Sequence, residues 1–303
     1  MRKISILALA LSLAVGTMAV AHESDPPGTQ YFMFQFDDES VPTADGDPSD
    51  WSFVPPFYRI TAEKWNTANR ASTGGDFDPS EADLATFAPS AVYGWNDNLN
   101  RAYVLIEVDD DYHEINRTDA IYIWDDDGLE VRWSASHISK DEYGGYGTVG
   151  LDGTAITFQG FAFPPGIEES WWVGFPNFDW NLPGASPYLD VGWSYTGTRL
   201  GEGASTYRYE ISTEIPFTIA ETYEDTEFLD LEEGEIIHAN LNMGDADGEF
   251  PDNASSTWVF WTTNVDAGNN PEQDFIFAEM DDNVDQTAVE AASWGQIKAG
   301  LAK

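Results

Sequence analysis

Apolar residues in this chain recur at every second position or in short runs, and almost nowhere at the spacing of a helix. Tyr207 to Ile215 alternates cleanly, sending Tyr207, Tyr209, Ile211, Thr213 and Ile215 to one side and Arg208, Glu210, Ser212 and Glu214 to the other. Ile236 to Met243 does the same, setting His238, Asn240 and Asn242 opposite Ile237, Ala239, Leu241 and Met243. A helical period is confined to the tail, Ala288 to Ala302. Many short strands, punctuated by Gly, Pro, Asn and Asp, predict an all-β chain built as an antiparallel β-sandwich of jelly-roll type.

The densest stretch is Ala102 to Trp133, where two apolar runs each break into an Asp triplet, Asp109 to Asp111 and Asp125 to Asp127. We read it as three strands joined by two acidic loops, with Glu107, Glu130 and Arg132 opposite Val104, Ile106, Leu129 and Val131. Such a charged face suits a polar ligand or, equally, water. Asn96 to Asn100 reads as a hairpin turn. Trp65 to Pro89 reads as a long loop, and Gly166 to Leu200, rich in Trp, Gly and Pro, as an aromatic loop that caps the sandwich or stacks on a flat ligand.

The 303 residues suffice for a core without covalent staples, and the absence of Cys excludes disulfides, thiolate metal sites and a cysteine nucleophile. Arg2 and Lys3 precede an apolar run ending in Ala19-Val20-Ala21, which reads as a secretory signal peptide over residues 1–21. Residues 22–44 follow as a leader with the first strand, YFMFQF, and residues 45–303 as one sandwich domain. The expected location is periplasmic or extracellular, with no transmembrane segment. A formal charge of −41 excludes nucleic acid and anionic membranes, which are bound through Lys and Arg.

Carboxylate pairs carry little information among 54 acidic residues, so a glycosidase is one alternative rather than the first reading. No Gly-x-Ser-x-Gly elbow is present. His22 would become the mature N-terminus and, with His113, His137 or His238, could chelate copper as in a polysaccharide monooxygenase. The internal His and Met33, Met243 or Met280 offer haem ligands without a Cys-x-x-Cys-His motif. Calcium is better supported, because Asp245-x-Asp247-Gly248 has the opening spacing of a cation loop, with the two Asp triplets as alternatives.

Several motifs in order resemble the carbohydrate-binding module family 9-like domains. They are Asp45-Gly46 to Trp51, Trp95-Asn-Asp-Asn-Leu with the following AYVLIEVDDD, Trp124-Asp-Asp-Asp127-Gly-Leu-Glu130-Val, YRYEISTEIPF, Asn240 to Asp247, and Trp294-Gly295. The resemblance implies a non-catalytic jelly roll that holds a polysaccharide or oligosaccharide between two aromatic walls, often with structural calcium. Carried over by position, Trp124 is one wall, Trp258 or Trp261 the other, and Glu130 accepts from sugar hydroxyls. Arg132, Arg208, Asn240 and Asn242 share the polar face by alternation and are expected to reach the ligand. The segment Gly153 to Ala204 is longer than the family pattern, and its Trp171, Trp172, Trp180 and Trp193 either cover the slot or replace it. The same broad fold includes haem-binding DOMON-type domains, which leaves an electron-transfer role as an alternative.

Overall fold

The computed structural model describes residues 30–69, 84–115, 126–137, 154–162, 171–175, 178–181, 187–198, 201–246, 259–263 and 273–280. Trp124, Asp125, Asp247, Trp258, residues 1–21 and the tail lie outside them. The strands are β1 (Tyr31–Gln35), β2 (Arg59–Ile60), β3 (Asn66–Asn69), β4 (Phe87–Asn96), β5 (Arg101–His113), β6 (Leu129–Ser134) and β7 (Ile156–Ala162). They continue with β8 (Trp171–Phe175), β9 (Leu189–Gly197), β10 (Gly201–Thr213), β11 (Ile236–Asp245), β12 (Val259–Thr262) and β13 (Gln273–Phe277). No helix among the described residues is long and apolar enough to cross a membrane.

The strands form one curled sheet in the order β8-β7-β6-β11-β13-β1-β4-β5-β10-β9, folded over into two layers at β1. The first half of β1 pairs with β13 and its second half with β4, both in parallel. Every other ladder among the described residues is antiparallel, as expected of the sandwich, and β1 adds a parallel seam to it. A strand that borders both layers in turn needs pairing on both sides, and alternation fits it for that role: Met33 enters the core while Phe32, Phe34 and Phe36 pack outward.

Between the layers lie Val104, Ile106, Val108, Tyr207, Tyr209 and Ile211 from one side and Leu129, Val131, Trp133, Ile237, Leu241 and Phe275 from the other. Tyr93 of β4 meets Trp133 and Phe275 across the gap, with ring centroids 5.7 and 4.1 Å apart. Each aliphatic side chain fully buried here contributes about 1.5–3 kcal/mol. Trp180 closes one end of this core: it is buried, its Nε1 donates to the Ala220 carbonyl at 3.0 Å, and its ring meets Tyr188 edge-on. The capping role expected of the aromatic loop therefore holds for this residue. β9 corrects the loop reading over its C-terminal part, because Leu189, Val191, Trp193 and Tyr195 alternate as a strand along β10.

A second apolar cluster covers the outer face of the β4-β5-β10 layer, built from Phe36, Trp51, Tyr58, Val92, Tyr103 and Leu105. Glu210 ties the covering segment down. Its carboxylate accepts from Trp51 Nε1 at 2.8 Å, from the Gly46 amide at 2.6 Å and from the Asp45 amide at 3.2 Å. The Asp-Gly turn that delivers Trp51 is thus anchored by a buried carboxylate. Gly46 has φ +85°, and a Cβ there would overlap the Trp193 carbonyl, so the turn tolerates only glycine at this point.

Candidate functional site

The polar rows of β6, β11 and β13 fall on the face of their layer that points away from the core. Register sets Glu130 beside Asn242, Arg132 beside Asn240, and Ser134, His238 and Asp274 in a third row. Asn242 Nδ2 donates to Glu130 Oε2 at 3.0 Å, and Arg132 Nη2 lies 3.4 Å from the same oxygen. This face is not solvated. Glu130, Arg132, Asn240 and Asn242 are 1%, 6%, 0% and 0% exposed, and both sides of β6 and β11 are buried. The contacts that Glu130 makes with Asn242 and Arg132 offset part of the cost of burying these groups.

Four of the expected ligand residues therefore meet, as the alternation predicted, and Arg208 does not join them. It belongs to β10, in the other layer, where its Nε donates to Glu107 Oε1 at 3.1 Å while Arg59 Nη1 holds Oε2 at 2.8 Å. Glu107 likewise lies across the sandwich from Glu130 and Arg132, which corrects the single charged face read from Ala102 to Trp133. Trp261 stands in β12 in register with Met243 rather than Asn242. Trp124, Trp258 and Asp247 fall outside the described residues.

The calcium expectation on Asp245 has a different geometry from a single loop. Asp110, Asp127 and Asp245 are buried and close at one end of the core, one acid from each of the three Asp clusters. The first triplet is not a loop, because β5 runs through it and exposes Asp109 and Asp111 while Asp110 turns in. Each of the three acids is the next member of an inward-facing row: Val104, Ile106, Val108 then Asp110; Asp127 then Leu129, Val131; Leu241, Met243 then Asp245. Burial, then the charges of Asp110 and Asp245, push the Asp127 carboxyl well above the usual carboxylate range, against hydrogen bonds from the Glu114 and Ala246 amides. The Asp126 carbonyl sits where a Cβ on residue 244 would be, so Gly244 lets the second triplet dock on β11. A hollow of about 360 Å³, lined by Thr86, Asp109, Asp110, Asp111, Ser205 and Thr206, opens beside Asp110. The donors are all oxygen and the charge is all negative, a composition that suits a hard divalent cation.

One grouping was not anticipated. Asp274, 0% exposed, accepts from His238 Nε2 at 2.9 Å, with His137 Nε2 at 3.2 Å from the same Oδ1. Burial alone would raise the Asp274 carboxyl, but the two histidines outweigh it and hold the group below the usual range. His137 and His238 were visible as isolated candidates; the carboxylate between them lies on β13, in QDFIF, where no sequence motif marks it.

No model of a known protein family matches the chain, and no curated protein matches it. Among solved structures the chain is similar to a carbohydrate-binding module family 9 from Caldicellulosiruptor kristjanssonii in complex with glucose. That likeness has 13% identity and a TM-score of 0.45 over 84% of this chain and 99% of that one. It is also similar to a candidate carbohydrate-binding protein from Bacteroides uniformis, at 9% identity and a TM-score of 0.40, over 82% of this chain and 98% of that one. At these TM-scores neither likeness assigns a ligand or an activity to this chain.

Proposed function

We propose that this chain is an exported, non-catalytic carbohydrate-binding protein that takes an oligosaccharide or polysaccharide on the Glu130, Arg132, Asn240 and Asn242 face. One observation carries the reading: neighbouring strands gather a carboxylate, a guanidinium and two amides on one face, supplying donors and acceptors together. Sugar hydroxyls donate and accept at once, so they match such a set. The walls of the slot are Trp124 and Trp258, as the sequence resemblance implies, since Trp261 pairs with the core-facing Met243. Because the four polar side chains are no more than 6% exposed, binding has to uncover them.

The test is retention on immobilised glycans. Replacing the charged pair together, Glu130→Gln with Arg132→Gln, removes the charge-assisted hydrogen bonds while leaving no lone buried charge. Retention is expected to weaken by at least about tenfold. Unchanged retention by a folded double variant would overturn this face as the sugar site.

Calcium belongs to the same reading, held by Asp245 with Asp110 and Asp127, and with Asp247 as the Asp-x-Asp-Gly spacing of the sequence implies. A bound ion would offset the repulsion among buried carboxylates that burial makes costly. Calcium at about a hundred times its Kd adds about 2.7 kcal/mol, so the Tm is expected to rise by roughly 5–10 °C over an EDTA-treated sample. Asp245→Asn should remove most of that difference; an equal rise in the variant would rule out this cluster.

A further inference from the structure

We propose that His137, His238 and Asp274 bind a divalent transition-metal ion of the zinc type, at a site separate from the acidic cluster. The chain has only four His among 303 residues, and two of them converge on one buried carboxylate oxygen. The topology does this work. His238 on β11 is register-paired with both Asp274 on β13 and Ser134 on β6, and His137 follows just beyond the end of β6.

The spacing suits an ion. All three ligand atoms lie within 4.8 Å of one another, and the two Nε2 atoms stand 2.9 and 3.2 Å from Asp274 Oδ1. Neighbouring ligands of one ion, each bonded at about 2.0–2.2 Å, are separated by about 2.9–3.5 Å in octahedral or tetrahedral geometry. The two imidazole rings cross at 84° with centroids 5.0 Å apart, so they approach the shared oxygen from different directions. Asp274 Oδ2 accepts from Gln30 Nε2 at 3.2 Å, which orients the carboxylate and leaves Oδ1 to face the histidines.

Donor chemistry separates this site from the calcium one. Two imidazole nitrogens and one carboxylate select zinc and its neighbours among the divalent ions, whereas calcium takes oxygen. His238 and Asp274 are fully buried, and His137, with its Nε2 buried but 19% of its side chain exposed, is the member nearest solvent, the side from which an ion would enter.

The test uses the full chain, stripped with a chelator and held in excess calcium so that exposed carboxylates and the acidic cluster are occupied. Zn²⁺ titration is expected to show one tight equivalent. The Co²⁺ derivative is expected to show visible ligand-field bands from nitrogen ligation, which carboxylate-bound Co²⁺ shows only weakly. His137→Ala, at the partly exposed position, should leave the fold intact and weaken Zn²⁺ by tenfold or more. Asp274→Asn, which keeps size and shape, should weaken it likewise. A Zn²⁺ equivalent that survives His137→Ala unchanged, or a Co²⁺ spectrum without nitrogen ligation, would overturn the site and leave a hydrogen-bonded His-Asp-His cluster. No sugar is present in these measurements, so their outcome is independent of the glycan-retention test.

Discussion

Glu210→Ala is expected to lower the free energy of unfolding by about 3–5 kcal/mol, measured by urea denaturation. The carboxylate holds the Trp51 indole and the Asp45 and Gly46 amides, and a charge-assisted hydrogen bond is worth about 1.5–3 kcal/mol. Truncation leaves those donors without their acceptor and loosens the segment that covers Tyr103 and Leu105. The loss exceeds what a surface glutamate gives, because Glu210 is 1% exposed. Glu210→Gln keeps one acceptor oxygen and should lose less than half as much. A loss under about 1 kcal/mol for alanine would show that the clasp does not hold the covering segment.

The same residue has a pH signature. Burial raises the Glu210 carboxyl, and the three hydrogen bonds only partly offset it. The folded chain therefore takes up this proton at a higher pH than the unfolded chain, whose glutamates titrate near about 4.3. Between those two values the folded state binds more protons, so this group's contribution to stability grows as pH falls. Wild type should gain on the glutamine variant over that window, and a gap that shrinks on acidification would contradict the direction.

Arg132→Gln alone is expected to cost about 3–5 kcal/mol, because it leaves the Glu130 carboxylate buried without its cation. Replacing both partners by glutamine should cost much less, since the penalty comes from a lone buried charge rather than from the loss of the pair. The double-mutant cycle should therefore give a coupling energy of about 2 kcal/mol or more. Additive losses would mean that the two charges do not rely on each other, at the 3.4 Å that separates them. This result also decides how the glycan experiment is read, because it establishes that the double variant is a folded protein with an altered ligand face.

Much of the sandwich was legible in the residues. The hairpin at Asn96 to Asn100 turns where its Asn-rich run predicts, with Asn100 at φ +52°. The alternating rows of β10 and β11 face as read, and the stretch at Glu130 and Arg132 presents its charges away from Leu129 and Val131. The acidic end of the core was also within reach: carrying each apolar row one step further lands on Asp110, Asp127 and Asp245. Reading the first triplet as a loop concealed it, since three consecutive Asp residues favour turns and give no sign that a strand continues through them.

Parity along a strand comes from local backbone geometry, so the sequence by itself determined which side chains share a side: Glu130 with Arg132, His238 with Asn240 and Asn242, Arg208 with Glu210. Which strands become neighbours is a matter of long-range pairing, and only the tertiary structure decided it. It put Arg208 and Glu107 on one layer and Glu130 on the other, made β1 the parallel seam between them, and brought His137, just past β6, together with His238 of β11 and Asp274 of β13. No local pattern carries that information, because hydrogen-bonded partners more than a hundred residues apart leave no period in the chain.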